Sequence, residues 1–323
     1  MIYSYYLLYS YYIYLQTNRK GMNFLMKITY TITAQDAGQT IHQILQSKLL
    51  FSTRLLQKLI QEQHIYLNNT PIDTRMMAIP HEVITADLSS PEDNSHVVPT
   101  AMDLSIVYED EWMLIVNKPA GTPTHPSMLH YQDSLSNGVR YYFDSLQLHK
   151  KIRPVNRLDT NTSGLVLFAK CEYIQECLTK QKANGQFTKK YLAFASGLFK
   201  QKQGTIELPI GRKEGSIIER CIDFEHGQPS TTHYEVLQEI HQEKENYSLV
   251  CYSLETGRTH QIRVHMAYLG HSLLGDTLYG NSTHLINRQA LHCYEFSFLH
   301  PVTKILYTLT CPLPIEMKQL CNH

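Results

Sequence analysis

The pattern of apolar and polar positions over residues 27–88 indicates a small unit with both helices and strands. In residues 40–50 and 52–64, apolar side chains recur three and four positions apart, which is the period of an amphipathic helix. Residues 65–73 have the pattern of a strand, an Asn-Asn turn and the start of a second strand, and residues 81–88 alternate as a further strand does. We therefore predict a small αβ module here.

Two segments flank this module. Residues 89–100 are polar and contain two prolines, which is typical of a linker. Residues 1–26 carry seven tyrosines within the first 14 positions but lack the basic start and small-residue cleavage site of a signal peptide. Their apolar stretch is also shorter than the roughly 20 residues of a membrane helix. We interpret residues 1–26 as a disordered or non-native extension, with a tyrosine-rich membrane-surface anchor as the alternative.

From residue 101 to residue 323 most segments have the pattern of strands. Two short strands flank an acidic turn within residues 104–121, whereas residues 172–181 and 259–270 have helical periodicity. Strands that follow one another with few helices between them favour an α+β domain with a mixed, mainly antiparallel sheet. Further strands are predicted at residues 164–169, 189–197, 231–240, 246–257 and 306–313.

The composition is that of a globular protein without net charge: 43% of the residues are hydrophobic, and the basic residues equal the acidic ones in number. A neutral chain has no global field that attracts a polyanion, which by itself argues against nucleic-acid binding. However, residues 150–200 contain ten basic and three acidic residues, a net charge of +7. A basic segment is often only a solvated surface, but here it also predicts a contact surface for a phosphate backbone.

The chain has seven cysteines, and no two of them have CxxC spacing. An odd number without paired spacing argues against a disulfide framework or a zinc site. We expect reduced thiols and a cytoplasmic protein.

Asp159 is a lone carboxylate that directly precedes a strongly apolar strand within the basic segment. An aspartate before Thr, Asn and Ser residues commonly forms a turn or a helix cap. The nearby Arg153 and Arg157 favour its ionised form. An ionised carboxylate at such a place can instead act as a nucleophile or stabilise a cationic sugar.

Tyr191 lies on a predicted strand and shares one face with Ala193 and Ala195. A tyrosine in a strand usually belongs to the core, but one that faces a cavity can stack on a base and donate a hydrogen bond. The neighbouring Lys189 and Lys190 suit contacts with phosphate.

Arg263 lies on the helix predicted for residues 259–270, outside its apolar stripe, with Thr259 as the expected cap and Arg258 in the preceding turn. Such an arginine is either solvated or paired with a carboxylate through two parallel hydrogen bonds. His260 and His265 are five positions apart on this helix, which is a poor spacing for binding a metal.

Residues 116–127 form a loop rich in Pro and Gly after a predicted strand. Lys118 and His125 in this loop either contact phosphate or are ordinary loop residues; the spacing does not favour one interpretation over the other.

Taken together, these segments resemble the RluA-type pseudouridine synthases, which isomerise uridine to pseudouridine in structured RNA. The resemblance covers about residues 101–315. The matching segments are NKPAGTPTHP, NRLDTNTSGLVLFAK, KKYLA, TGRTHQIRVHMAYLG, GDTLYG and ALHCYEFSFLHPVTK.

The resemblance implies an isomerase without a cofactor or metal that acts on RNA, with large-subunit ribosomal RNA expected before transfer RNA, and that works as a monomer. It implies that Asp159 is the catalytic aspartate and that Arg157 enters the space left by the flipped nucleotide or holds its backbone. Tyr191 would stack on the base and help proton removal, and Arg263 would pair with the aspartate. The remaining RNA-binding residues implied are Lys118, His125, Lys189, Lys190, Arg258, His260 and Gln261.

Two features depart from the family pattern. Residues 27–88 resemble a small RNA-binding module shared with a ribosomal protein, but such modules are usually basic and this one has a net charge of −1, from four basic and five acidic residues between 31 and 90. Asn156 stands where the family often has histidine, which could alter loop geometry or substrate choice. Two alternatives therefore stay open: a non-catalytic RNA-binding or ribosome-assembly protein, and a nucleosidase or glycosidase, although a second carboxylate for the latter is not evident.

Overall fold

The computed structural model describes residues 25–243 and 245–321. The extension predicted for residues 1–26 therefore lies outside the described residues, apart from its last two positions. No helix of the described chain is long and apolar enough to cross a membrane.

The first described elements form a four-stranded antiparallel sheet with the strand order β1-β4-β2-β3. The turn between β2 and β3 contains Asn68 and Asn69, whose φ angles of 47° and 69° lie in the left-handed region that asparagine tolerates. The predicted Asn-Asn turn is thus confirmed. The strands are β1 (Lys27–Thr31), β2 (Ile65–Leu67), β3 (Thr70–Pro71) and β4 (Val83–Asp87), and the helices are α1 (Ile41–Ser47) and α2 (Thr53–Gln61).

A second, larger sheet contains most of the remaining strands in the order β10-β13-β14-β9-β15-β8-β6-β5, with β16 beside β15 and β7 beside β8. Its neighbouring strands are antiparallel except β8 and β15, which run parallel. The prediction of an α+β fold with a mixed, mainly antiparallel sheet is confirmed. The strands are β5 (Ile106–Glu109), β6 (Met113–Lys118), β7 (Arg153–Pro154), β8 (Ser163–Ala169), β9 (Thr188–Ser196), β10 (Gln203–Glu207), β13 (Thr231–Ile240), β14 (Tyr247–Leu254), β15 (Leu291–Leu299) and β16 (Leu306–Thr310), and a separate ribbon consists of β11 (Ile210–Arg212) and β12 (Arg220–Ile222).

Helices pack beside this sheet at four places in the described chain. The helices α4 and α5 coincide with the two predicted ones, whereas the hydrophobic pattern did not indicate α3 or α6. The bounds are α3 (Leu135–Ser145), α4 (Glu172–Ala183), α5 (Gln261–Tyr268) and α6 (Ile315–Gln319).

Gly164 determines how closely β8 approaches β15. Its φ angle is +117°, and a Cβ atom built there would lie 2.2 Å from the carbonyl oxygen of Cys293 on β15. Only glycine combines this backbone conformation with so close an approach. The parallel pairing of β8 and β15 therefore depends on this residue, and it places the turn before β8 next to the centre of the sheet.

Residues 89–100 contain no helix or strand, but they are held firmly against the large sheet. Glu92 accepts two hydrogen bonds from the Arg153 guanidinium at 2.6 and 2.7 Å. Asn94 accepts the backbone N–H of Ile152 at 3.0 Å, and the Lys150 ammonium donates to the carbonyl of Ser90 at 2.7 Å. The segment predicted as a linker thus has fixed contacts with the β7 region.

Candidate active site

Asp159 lies in the turn that leads into β8, and its side chain is 29% exposed. The backbone N–H of Thr162 donates to the Asp159 carbonyl at 3.0 Å and closes the turn. The Thr124 hydroxyl donates to the Leu158 carbonyl at 3.0 Å and accepts the Leu158 N–H at 3.2 Å. The Pro/Gly-rich loop thereby fixes the backbone on which the carboxylate sits.

Lys118 is fully buried, and its ammonium holds this loop against the Asp159 turn. The Nζ atom donates to the carbonyls of Pro119, Thr122 and Thr160 at 2.9, 2.7 and 2.9 Å. Burial lowers the pKa of Lys118 to about 7, against the attraction of Asp159. Because all three N–H groups are used inside the protein, Lys118 is placed to shape the site, not to contact phosphate as predicted.

Asn156 is also buried and faces β8 instead of the solvent. Its side-chain amide donates to the carbonyl of Leu165 at 3.1 Å and accepts the N–H of Leu167 at 3.0 Å. The residue that departs from the family pattern therefore has a donor and an acceptor that are both satisfied by strand backbone.

Arg263 is buried on α5 and connects two carboxylates. Its Nε and Nη2 atoms donate to Asp276 at 2.6 and 2.8 Å, while Nη1 donates to Asp159 Oδ2 at 3.3 Å. Burial opposes the charge, but the two carboxylates outweigh it and raise the pKa of Arg263. The expected pair of parallel hydrogen bonds exists, but its partner is Asp276, and Asp159 receives the single third bond.

His260 precedes α5 with a φ angle of +60° and occupies the cap position that was predicted for Thr259. Its Nδ1 atom lies 2.7 Å from the Tyr279 hydroxyl oxygen, and its Nε2 atom lies 3.7 Å from Asp159 Oδ2. The Tyr279 oxygen accepts the Arg220 N–H at 2.8 Å, so its own proton is left for Nδ1. Burial lowers the pKa of His260, which favours a neutral imidazole whose Nε2–H faces Asp159.

The two oxygens of Asp159 therefore differ. Arg263 and His260 both approach Oδ2, whereas Oδ1 has no hydrogen-bond partner among the residues that the structure describes. An ionised carboxylate with one oxygen held and the other unoccupied is suited to react with a bound substrate.

An open cleft with a cavity volume of about 80 Å³ lies over Asp159. Asp159, Tyr191 and Arg263, which were predicted from separate segments, all line it. Five other predicted site residues also line the cleft: Arg157, Lys189, Arg258, His260 and Gln261.

The β9 strand contributes Tyr191 and Lys189 to the cleft from one face. Tyr191 is 5% exposed, and burial raises the pKa of its phenol well above the ordinary value, so the side chain stays neutral and can stack or donate. Lys190 lies between them on the opposite face, and its ammonium pairs with Glu295 at 2.9 Å. Lys190 is therefore outside the cleft lining, and its contact with phosphate stays a prediction.

Gln261 lines the cleft but uses its amide internally. The Oε1 atom accepts hydrogen bonds from the Thr256 hydroxyl and the Arg258 N–H, both at 2.9 Å, and Nε2 donates to the Thr231 carbonyl at 2.9 Å. Gln261 thus shapes the turn that presents the exposed Arg258, which differs from the predicted RNA contact.

His125 lies half-buried on the Pro/Gly-rich loop and is not part of the cleft lining. Burial and the neighbouring Arg157 lower the pKa of His125. Its predicted phosphate contact would therefore have to occur beside the cleft, through a neutral imidazole.

Comparisons with known proteins show the family to which the chain belongs. Residues 112–268 match the family model described as RNA pseudouridylate synthase. The chain is 38% identical over 305 residues to the "Uncharacterized RNA pseudouridine synthase YhcT" of Bacillus subtilis (strain 168), covering 94% of this chain and 98% of that protein. It is 34% identical over 310 residues to the ribosomal large subunit pseudouridine synthase D of Neisseria meningitidis serogroup B, covering 92% and 81%.

Among solved structures, human RNA pseudouridylate synthase domain containing 1 has a TM-score of 0.55 and 28% sequence identity, covering 65% of this chain and 83% of that one. The chain belongs to the RNA pseudouridine synthase family. It is an isomerase that acts on RNA, as the resemblance implied.

Proposed function

We propose that this enzyme isomerises specific uridines of ribosomal RNA and that Asp159 is its essential catalytic residue. The observation that carries the proposal is the Asp159 carboxylate, which lines the same cleft as Tyr191 and has Oδ2 held by the buried Arg263. The non-catalytic alternative is not favoured, because these three side chains converge on one cleft.

The target uridine must first leave the base stack, which costs a few kcal/mol. The exposed Arg157 at the cleft is placed to occupy the vacated space or hold the backbone, and the Tyr191 ring offers a surface on which the flipped base stacks. Asp159 Oδ1 then attacks the sugar, attacks the base or removes a sugar proton. Arg263 and His260 keep the carboxylate oriented along each route.

The later steps need no further reactant. The bond between sugar C1′ and uracil N1 breaks, the uracil rotates, and C1′ bonds to C5. The proton lost from C5 balances the proton gained at N1, so that the product is an isomer of the substrate. A cleft that excludes water keeps the detached uracil in place.

Ribosomal RNA is proposed as the substrate because the Neisseria relative is named for the large ribosomal subunit. The basic segment 150–200 contains Asp159. Four of its ten basic residues are buried, namely Lys150, Arg153, Lys170 and Lys189, but the other six still outnumber its three acidic residues, which suits a folded polyanion. We further propose a monomer that acts in the cytoplasm, with transfer RNA as the alternative substrate.

The first test compares pseudouridine formation by the wild-type enzyme and Asp159→Asn on ribosomal and transfer RNA transcripts. The second test maps the pseudouridines that are missing from the RNA of a deletion strain. We expect Asp159→Asn to bind RNA normally and to form no pseudouridine, because asparagine supplies no carboxylate. The matched control is Asp103→Asn, an exposed residue outside the cleft. Substantial product from Asp159→Asn would refute the assignment, and release of free uracil would indicate a nucleosidase.

A further inference from the structure

Lys189 is buried and has no counter-charge in the described part of the chain. It is 7% exposed, lines the same cleft as Asp159 and lies two positions before Tyr191 on one face of β9. Its ammonium makes no hydrogen bond or ion pair with any residue that the structure describes. A buried cation without a counter-charge costs stability.

The Lys189 ammonium lies over the Tyr191 ring, on which the proposed mechanism stacks the base. Its Nζ atom is 5.8 Å from the centroid of the Tyr191 ring. A Cβ atom built at Gly257 would lie 3.8 Å from the same Nζ atom. A base stacked on the ring would bring its polar edge toward this ammonium. Phosphate groups are more accessible to Arg157 and Arg258, which are exposed at the cleft.

We propose that the Lys189 ammonium binds a carbonyl oxygen of the flipped uracil and stabilises the negative charge that the base acquires during the reaction. This inference rests on the proposed function. When the C1′–N1 bond breaks, its electron pair goes to N1 and is shared by O2 and O4; attack on the base places charge on the same carbonyls. The three routes open to Asp159 therefore all create an anion that a fixed cation stabilises.

Lys189 is mostly charged near neutral pH, although its surroundings lower its pKa. Burial lowers its pKa to about 8, the Cys293 thiol on β15 acts in the opposite direction, and Lys182 on α4 lowers it further. Above pH about 8 the amine loses its proton and can no longer stabilise an anion. The other charged or titratable groups of the cleft are Asp159, Arg157, Tyr191, Arg258, His260 and Arg263.

The first experiment measures single-turnover rates and RNA dissociation constants for Lys189→Met, with Lys200→Met, an exposed lysine outside the cleft, as the matched control. We expect Lys189→Met to lower the rate about 10²-fold, the typical loss for one anion-stabilising donor, with RNA affinity unchanged within about twofold. A thermal melt verifies that the variant is folded. Weakened RNA binding at an unchanged rate would overturn the inference and assign Lys189 to the RNA backbone.

A second substrate separates stabilisation of the base from general positioning. 5-Fluorouracil is more acidic than uracil, so its anion depends less on stabilisation by the Lys189 ammonium. Fluorine replaces the C5 proton that must be lost to form pseudouridine, so the rate measured on RNA with 5-fluorouridine at the target site is that of C1′–N1 bond breakage. For this step the defect of Lys189→Met should be several-fold smaller than on uridine. An equal defect on both substrates would overturn the inference.

The pH profile gives an independent readout. The wild-type rate should fall as pH rises through about 8, and this alkaline fall should be absent from the residual rate of Lys189→Met. An unchanged alkaline fall in the variant would contradict the assignment. Absence of pseudouridine from wild-type reactions would instead refute the proposed function, and the inference with it, so the two failures are distinguishable.

Discussion

At the scale of single residues, the site depends on a buried cation shared by two carboxylates. Arg263 donates two bonds to Asp276, which is 1% exposed, and one to Asp159. Asp276 neutralises most of the charge on Arg263 and fixes the guanidinium plane, since two parallel bonds allow a single orientation. Asp159 is therefore steered by an arginine that a second carboxylate has already positioned.

The substitution Asp276→Asn tests this arrangement. Without the Asp276 carboxylate, the buried Arg263 keeps only the single 3.3 Å bond to the partly exposed Asp159. We therefore expect the free energy of unfolding to fall by about 3–5 kcal/mol, together with slower pseudouridine formation. Denaturant melts and single-turnover rates measure the two effects.

The matched control for that variant is Asp73→Asn, because Asp73 is also bonded to an arginine, Arg75, but both side chains are exposed. Exposed pairs of this kind contribute about 0–1 kcal/mol. Equal destabilisation by the two substitutions would show that Asp276 does not compensate a buried charge.

At the scale of elements, the parallel contact between β8 and β15 brings the catalytic turn into place. The two strands meet where Gly164 lies next to the backbone of Cys293. On its other side β15 pairs with β9, which carries Lys189 and Tyr191. The three neighbouring strands thus bring Asp159 and the two β9 side chains to one cleft. A side chain at position 164 would separate β8 from β15.

We therefore expect Gly164→Ala to destabilise the protein by more than backbone strain alone. A matched control is Gly215→Ala, whose φ angle is also positive at +73° but where an added Cβ would meet nothing within 4 Å. The control should lose on the order of 1 kcal/mol through strain, and Gly164→Ala about 1–3 kcal/mol more through the clash. Urea melts of both variants check this; similar losses would mean that β15 moves aside freely.

At the scale of the whole molecule, the small N-terminal sheet is attached to the large one through α4. The Phe51 ring packs against Tyr173 with centroids 4.8 Å apart, and both side chains are buried. The Ser52 hydroxyl donates to Glu176 at 2.7 Å, and the Lys180 ammonium donates to the Leu50 carbonyl at 3.0 Å. These contacts hold the module next to the basic segment that includes α4.

The substitution Phe51→Ala should loosen this junction. Loss of a buried phenyl ring costs about 3–5 kcal/mol, and the loss should fall mainly on the module. Hydrogen exchange should therefore speed up in residues 27–88 and remain slow in residues 113–118 and 163–169. Ile60→Ala, at a partly exposed site on α2, is the control; uniform acceleration across both sheets in Phe51→Ala would contradict an effect centred on the module.

Much of the architecture could be predicted because its signals are local. The helical periods of α4 and α5 and the alternation of β13 and β14 can be recognised from residues close together in the sequence. The structure confirms these two helices and two strands. The strand β15 and the helix α3 lacked a clear local signal, since β15 is buried by neighbours on both sides and α3 carries mixed polar and apolar residues. Short-range patterns do not report such tertiary packing.

The sequence by itself determined the class of fold, the family and the residue types that meet in the cleft, because each motif holds its chemistry within a few adjacent positions. Only the tertiary structure decided which partners those residues have. It paired Arg263 with Asp276, enclosed Lys118 among three carbonyls and left Lys189 without a counter-charge. Hydrogen bonds and burial depend on distances between segments far apart in the chain, and those distances exist only once the sheet has formed.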